Sequence, residues 1–173
     1  MVSAFGTGPK HNSIMDHKVL SVHPATDREA FVSLVKSRCG GPYLWGGQGD
    51  HHFDCSGLIM WALEQIRIDI VDMTSESMAA RWVGLQTTKA HPGCLTFYGS
   101  HGRASHVMVV ADVWDQHGKM FTLVGARGGG SDTTDLQTAY DKNAMVSVRR
   151  GDYWASRYLF MVDIFDAHGR YRG

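Results

Sequence analysis

Cys55 stands in the run Phe53-Asp54-Cys55-Ser56-Gly57, directly ahead of Leu58, Ile59, Trp61, Ala62 and Ile66, which recur at helical spacing and put the cysteine at the start of a helix. A thiol attacks as its thiolate. With an ordinary pKa of about 8.5 it is mostly protonated at neutral pH, so a catalytic cysteine needs activation. A helix N-terminus supplies partial positive charge and free backbone donors, and a neighbouring imidazolium lowers the thiol pKa further. His106 opens the apolar run Val107-Met108-Val109-Val110, so a strand beside that helix would present an imidazole to the thiol as its base. The amide of Cys55 and an adjacent loop donor would form an oxyanion hole, worth about 3 kcal/mol per donor. Gly46, Gly47 and Gly49 would let the preceding loop approach a substrate backbone. Asp54 has two readings, a partner for a substrate ammonium or a helix cap. Each feature alone is commonplace: a histidine on a strand is more often structural, and a glycine cluster is usually only a loop.

The other candidates for chemistry are less pointed. Cys39 and Cys94 are expected to be small buried packing residues, and three cysteines leave at least one thiol free. His51, His52, Asp54 and Cys55 lie close together, as do His101 and His106, but no two separated ligand pairs occur, so no metal and no other cofactor is expected. His51 and His52 are read as solvated loop residues. Trp45, Trp61, Trp82, Trp114 and Trp154 are read as core or cleft-wall residues.

The elements that must position these residues follow from the pattern. Thr26 and Glu29 form a capping box ahead of Phe31, Leu34 and Val35, giving a helix to about Arg38 that Gly40, Gly41 and Pro42 stop. A second helix begins at Cys55, and a third is expected from Thr74 to Trp82. Strands are expected over Cys94 to Tyr98, His106 to Val113, Met120 to Ala126, Ala144 to Arg149 and Tyr158 to Ile164. Gly128 to Asn143 reads as a long loop or short helix bordering a cleft. Helices first and strands afterwards make an α+β domain with a mainly antiparallel sheet.

The chain has 173 residues, enough for one domain with a core of its own. We read residues 24–173 as that domain and 1–23, which lack periodicity, as an N-terminal arm. The 17 basic and 17 acidic side chains cancel, which argues against a dedicated nucleic-acid binder. No run has the length of a membrane span, and Met1 to Leu20 has no apolar core of signal-peptide length.

Together, Pro42-Tyr43-Leu44-Trp45-Gly46-Gly47 and Phe53-Asp54-Cys55-Ser56-Gly57-Leu58-Ile59 closely resemble the nucleophile region of NlpC-type cell-wall cysteine peptidases. Pro92-Gly93-Cys94-Leu95-Thr96-Phe97-Tyr98 is similar to that family's Pro-Gly-Asp-Leu-x-Phe-Phe strand, and Ser105-His106-Val107 to its catalytic-histidine strand. The resemblance implies a papain-like fold, a Cys55–His106 pair, and hydrolysis of bacterial peptidoglycan stem peptides between D-glutamate and a diamino acid. It also implies that Tyr43, Asp54 and Ser56 bind the substrate amine. Two positions depart from the pattern. Cys94 replaces an aspartate away from the reacting atoms, and Gly125 stands where the family often has a polar side chain that orients the histidine. Asp112, His117 and Asn143 are candidates for that third role, as are a backbone carbonyl and a water. A substrate outside the cytoplasmic membrane and no recognisable leader suggest a phage lysin or virion-associated hydrolase, its arm docking on other phage tail proteins. The alternative is a virion protein that keeps the fold and holds wall peptide without cutting it; a third reading is an acyltransferase using the same pair.

Overall fold

The computed structural model describes residues 26–49 and 51–172. The proposed arm, residues 1–23, lies outside them. Helix α1 (Asp27–Ser37) begins as the capping box requires, with Thr26 Oγ1 accepting from the Glu29 amide at 3.2 Å. It buries Phe31 and Val35 on one face. Helix α2 (Cys55–Gln65) is different in kind: every residue from Cys55 to Leu63 is buried, so it runs through the core. Helix α3 (Ser75–Trp82) is capped by Thr74 and buries Met78, Ala79 and Trp82.

Six strands follow: β1 (Gln86–Thr87), β2 (Leu95–Ser100), β3 (Arg103–Val113), β4 (Phe121–Arg127), β5 (Met145–Arg150) and β6 (Tyr158–Val162). They form one sheet, ordered β1-β6-β2-β3-β4-β5, in which every neighbouring pair is antiparallel. The segment after β4 carries a short helix, α4 (Leu136–Asp141), capped by Asp135. The expected strands are present with ends shifted by a few residues; the two-residue β1 has no sequence signal, being too short for one.

Alternation along the strands makes two apolar faces. Leu95, Phe97, Val107, Val109, Val124, Ala126 and Val146 face the helices and join Leu58, Ile59 and Trp61 in the main core. Cys94, Tyr98, Met108, Val110, Leu123 and Met161 form a smaller cluster on the opposite face. Cys94 is fully buried there, as expected, whereas Cys39 is exposed beyond the end of α1, contrary to the packing role assigned to it. All three thiols are free. Trp61 and Trp82 are core residues, but Trp45, Trp114 and Trp154 are largely exposed.

Candidate active site

Cys55 is the first residue of α2, and Asp54 is its cap. One carboxylate oxygen of Asp54 accepts from the Gly57 amide at 2.7 Å and from Ser56 Oγ at 3.1 Å. The other accepts from the Gly46 amide at 3.0 Å. Asp54 therefore staples the glycine loop to the helix start. The loop crosses α2 closely: a Cβ on Gly57 would collide with the Gly47 carbonyl, and the Asp54 amide donates to that carbonyl at 2.9 Å. Gly57 thus permits the close approach of loop to helix, while a Cβ on Gly47 would crowd Leu44 O, His52 O and Phe53 Cα within the loop.

The thiol faces the backbone N–H of Val107 on β3, the residue after His106, as well as the amides of Cys55 and Ser56. These donors favour the thiolate. Burial outweighs them, and the Asp54 charge adds to it, so the Cys55 pKa is pushed up to about 12. The expected lowering by the helix end is present as a tendency but does not win. Burial likewise drives the His106 pKa down to about 4. At neutral pH the site thus holds an uncharged thiol and an uncharged imidazole.

His106 sits opposite Tyr98 in the β2–β3 pair, at a β-bulge between Tyr98 and Gly99. Such a bulge bends and twists a strand and re-aims its side chains. The imidazole packs against Tyr98, with ring centroids 6.1 Å apart, and against Trp154 at 5.3 Å and 79°. Its Nε2 atom is buried without a hydrogen-bond partner among the described residues. At Gly125 a Cβ would lie 3.0 Å from the Met108 side chain, so Met108 packs over the position that carries no side chain.

None of the three proposed substitutes reaches that nitrogen. Asp112 lies six residues farther along β3, about 20 Å at ~3.3 Å per residue, and pairs with Lys36 at 2.8 Å. His117 lies exposed in the β3–β4 turn, its amide donating to Asp115 at 2.8 Å. Asn143 is exposed after α4 with a left-handed φ of 50°. His101, named beside His106, is exposed in the β2–β3 turn with φ 51°.

Tyr43 is buried beside the thiol. Burial raises its hydroxyl pKa, and the charges of Cys55 and Asp54 raise it further, which places the hydroxyl near both. A Cβ on Gly129 would collide with its ring, so the 128–143 segment forms the opposite wall. That wall is tied to the glycine loop by the Trp45 amide, which donates to the Thr133 carbonyl at 2.8 Å. Tyr43, Asp54, Cys55 and Ser56 are thus one cluster, and His51 and His52 are solvated loop residues. Among the described residues no group of three His, Cys, Asp or Glu side chains is placed to hold a metal, and no helix is long and apolar enough to cross a membrane. Sequence reasoning singled out neither Met108 nor the contact of Trp154 with His106. Both depend on pairings between distant segments.

A model of the NlpC/P60 family matches residues 40–162. The chain belongs to the NlpC/P60 family. It is 40% identical over 81 residues to a probable endopeptidase of Mycobacterium tuberculosis, a match covering 46% of this chain and 20% of that protein. The chain spans a fifth of the length of that relative and about half of a probable endopeptidase of Corynebacterium glutamicum, which it matches at 27% identity over 116 residues, 61% of this chain and 55% of that protein. Its fold is similar to that of NlpC2 from Trichomonas vaginalis, at a TM-score of 0.61 and 19% identity, covering 82% of this chain and 48% of the other. RipD from Mycobacterium tuberculosis, described as a non-catalytic NlpC/p60 domain protein adapted to peptidoglycan binding, matches at a TM-score of 0.53 and 17% identity, covering 81% of this chain and 98% of the other. The α+β architecture is the papain-like fold of these NlpC/P60 neighbours.

Proposed function

We propose that this domain is a cysteine endopeptidase that hydrolyses peptidoglycan stem peptides at the D-glutamyl–diamino acid bond. The observation that carries the reading is the thiol of Cys55, first residue of a buried helix, lying against the strand backbone beside His106. Because both groups are uncharged at neutral pH, His106 works as a general base: it takes the thiol proton as sulfur attacks the carbonyl carbon. The amides at the start of α2 stabilise the oxyanion. His106 then gives its proton to the leaving amine, and water hydrolyses the thioester. Tyr43, Asp54 and Ser56 receive the substrate amine; Asp54 keeps acceptor capacity beyond the three donors it already holds. Delivery by a phage, as lysin or virion component docked through residues 1–23, is part of this proposal on the sequence reading alone.

A second reading is a domain that binds wall peptide without cutting it. It is favoured by His106 Nε2, which has no hydrogen-bond partner among the described residues to orient the base. Incubation with purified muropeptides, followed by mass spectrometry, separates the two. Free fragments ending in D-glutamate support hydrolysis. Bound but intact peptide supports the second reading, and products joined to an added amine indicate acyl transfer.

A further inference from the structure

His106 has no hydrogen-bond partner on Nε2 among the described residues, yet its ring is buried. The walls that hold it are aromatic. Trp154 stands nearly perpendicular to it, at 79° with centroids 5.3 Å apart, and Tyr98 is tilted by 48° at 6.1 Å. In a perpendicular pair the edge of one ring meets the face of the other, a contact that favours this orientation of the imidazole over others.

Trp154 is itself held in an unusual way. Its backbone is left-handed, φ 55° and ψ 35°, which a bulky side chain rarely adopts. Short bonds within the 150–157 turn maintain that conformation: the Tyr153 amide donates to Arg150 O at 2.9 Å and the Arg157 amide to Trp154 O at 2.8 Å. Tyr153 stacks on the indole at 5.5 Å and 20°. The indole is nevertheless 46% exposed, so burial of its own surface is a weak reason for the strained backbone. Its inner side lies against His106.

We propose that Trp154 is a positioning residue: with Tyr98 it fixes the rotation of the His106 ring for proton exchange with Cys55, replacing the polar side chain absent at Gly125. This rests on the reading of Cys55 and His106 as a working pair. Tyr98 on β2 lies against the ring, Tyr158 packs on Tyr98 and Tyr153 on Trp154, and the Cys55 thiol faces the amide of the next residue, Val107, while Arg127 on β4 is turned to Ser147 by a 2.9 Å hydrogen bond.

The test is the pH dependence of Cys55 alkylation by iodoacetamide in the full chain. It is followed at the Cys55 peptide by mass spectrometry because the exposed Cys39 also reacts. Wild type is compared with Trp154→Phe, Trp154→Leu and His106→Ala. Trp154→Leu is expected to slow alkylation at neutral pH towards the His106→Ala rate, because a turned neutral imidazole no longer takes the thiol proton, and Trp154→Phe, which keeps an aromatic wall, to stay near wild type. An indole that only shields the ring from water predicts the opposite, because an exposed imidazole is the stronger base. A faster or unchanged rate in Trp154→Leu therefore overturns the proposal. If His106→Ala also leaves the rate unchanged, the Cys55–His106 pair fails as well, and the two failures are distinguishable. Should Trp154→Leu not fold, NMR of the wild type decides: a fixed contact gives His106 ring protons displaced by the indole ring current, and random-coil shifts overturn it.

Discussion

At Cys55 two effects of one location oppose each other. The helix start supplies donors that favour a thiolate, and the same burial that packs α2 into the core disfavours it more strongly. A resting neutral pair follows, with consequences for both residues. Cys55→Ala removes the sulfur and little volume, so it should leave the melting temperature close to wild type and reduce muropeptide cleavage to background. Retained cleavage would exclude the thiol as nucleophile. His106→Ala should cost about a hundredfold to ten-thousandfold in rate, the usual worth of a positioned general base. In wild type, cleavage should fall on acidification as His106 takes up a proton and can no longer accept one from Cys55. With its pKa held down to about 4, that acid limb should lie below the ordinary imidazole range. A limb at the ordinary value would mean that the ring is less buried in the working enzyme.

At the scale of elements, what could be read from the sequence was what is local. The capping box at Thr26, Cys55 at a helix start and strands rich in strand formers are short-range signals, and the helices and strands formed accordingly. Long-range pairing was not legible. Nothing in the local pattern places β6 between β1 and β2, or brings the 150–157 turn against His106 on β3. The close crossing of the Gly47 carbonyl over the first turn of α2 was out of reach for the same reason. This contact yields a direct expectation: Gly57→Ala forces a methyl group into the Gly47 carbonyl. It should cost about 3 kcal/mol, the upper end of ordinary substitutions, and so lower the melting temperature by roughly 6–12 °C. A shift of under about 2 °C would show that the loop yields easily. The β3–β4 pair offers a second test. Gly125→Asn alone should crowd Met108, whereas Gly125→Asn with Met108→Ala should relieve the crowding and give Nε2 a polar neighbour. The double-mutant cycle should show a favourable stability coupling of about 0.5–3 kcal/mol. Strict additivity would place the two side chains out of contact.

Over the whole molecule, the sheet separates a main core shared with the helices from a smaller aromatic and sulfur-rich cluster, and His106 links its far face to the site. Burying a titratable ring there couples the fold to pH. In the unfolded chain the imidazole takes a proton below about 6.5, while in the folded protein it stays neutral down to about 4. Between those values the unfolded state binds the additional proton, so stability rises with pH across this window and is lost on acidification. Asp115, Asp132, Asp135 and Asp166, held below the usual carboxylate range chiefly by hydrogen bonds, lose their contribution only as pH falls below about 4. On the alkaline side the sign reverses. Cys55 and Cys94 keep their protons up to about 12, against 9.0 for a free thiol, so the unfolded chain releases protons first and stability falls above pH 9. The unfolding free energy measured from pH 4 to 10 should therefore decline towards acid with a slope of about one proton below pH 6.5. His106→Ala should remove that slope and leave the alkaline decline in place, whereas parallel profiles for the two proteins would mean that the ring is reached by water in the folded state.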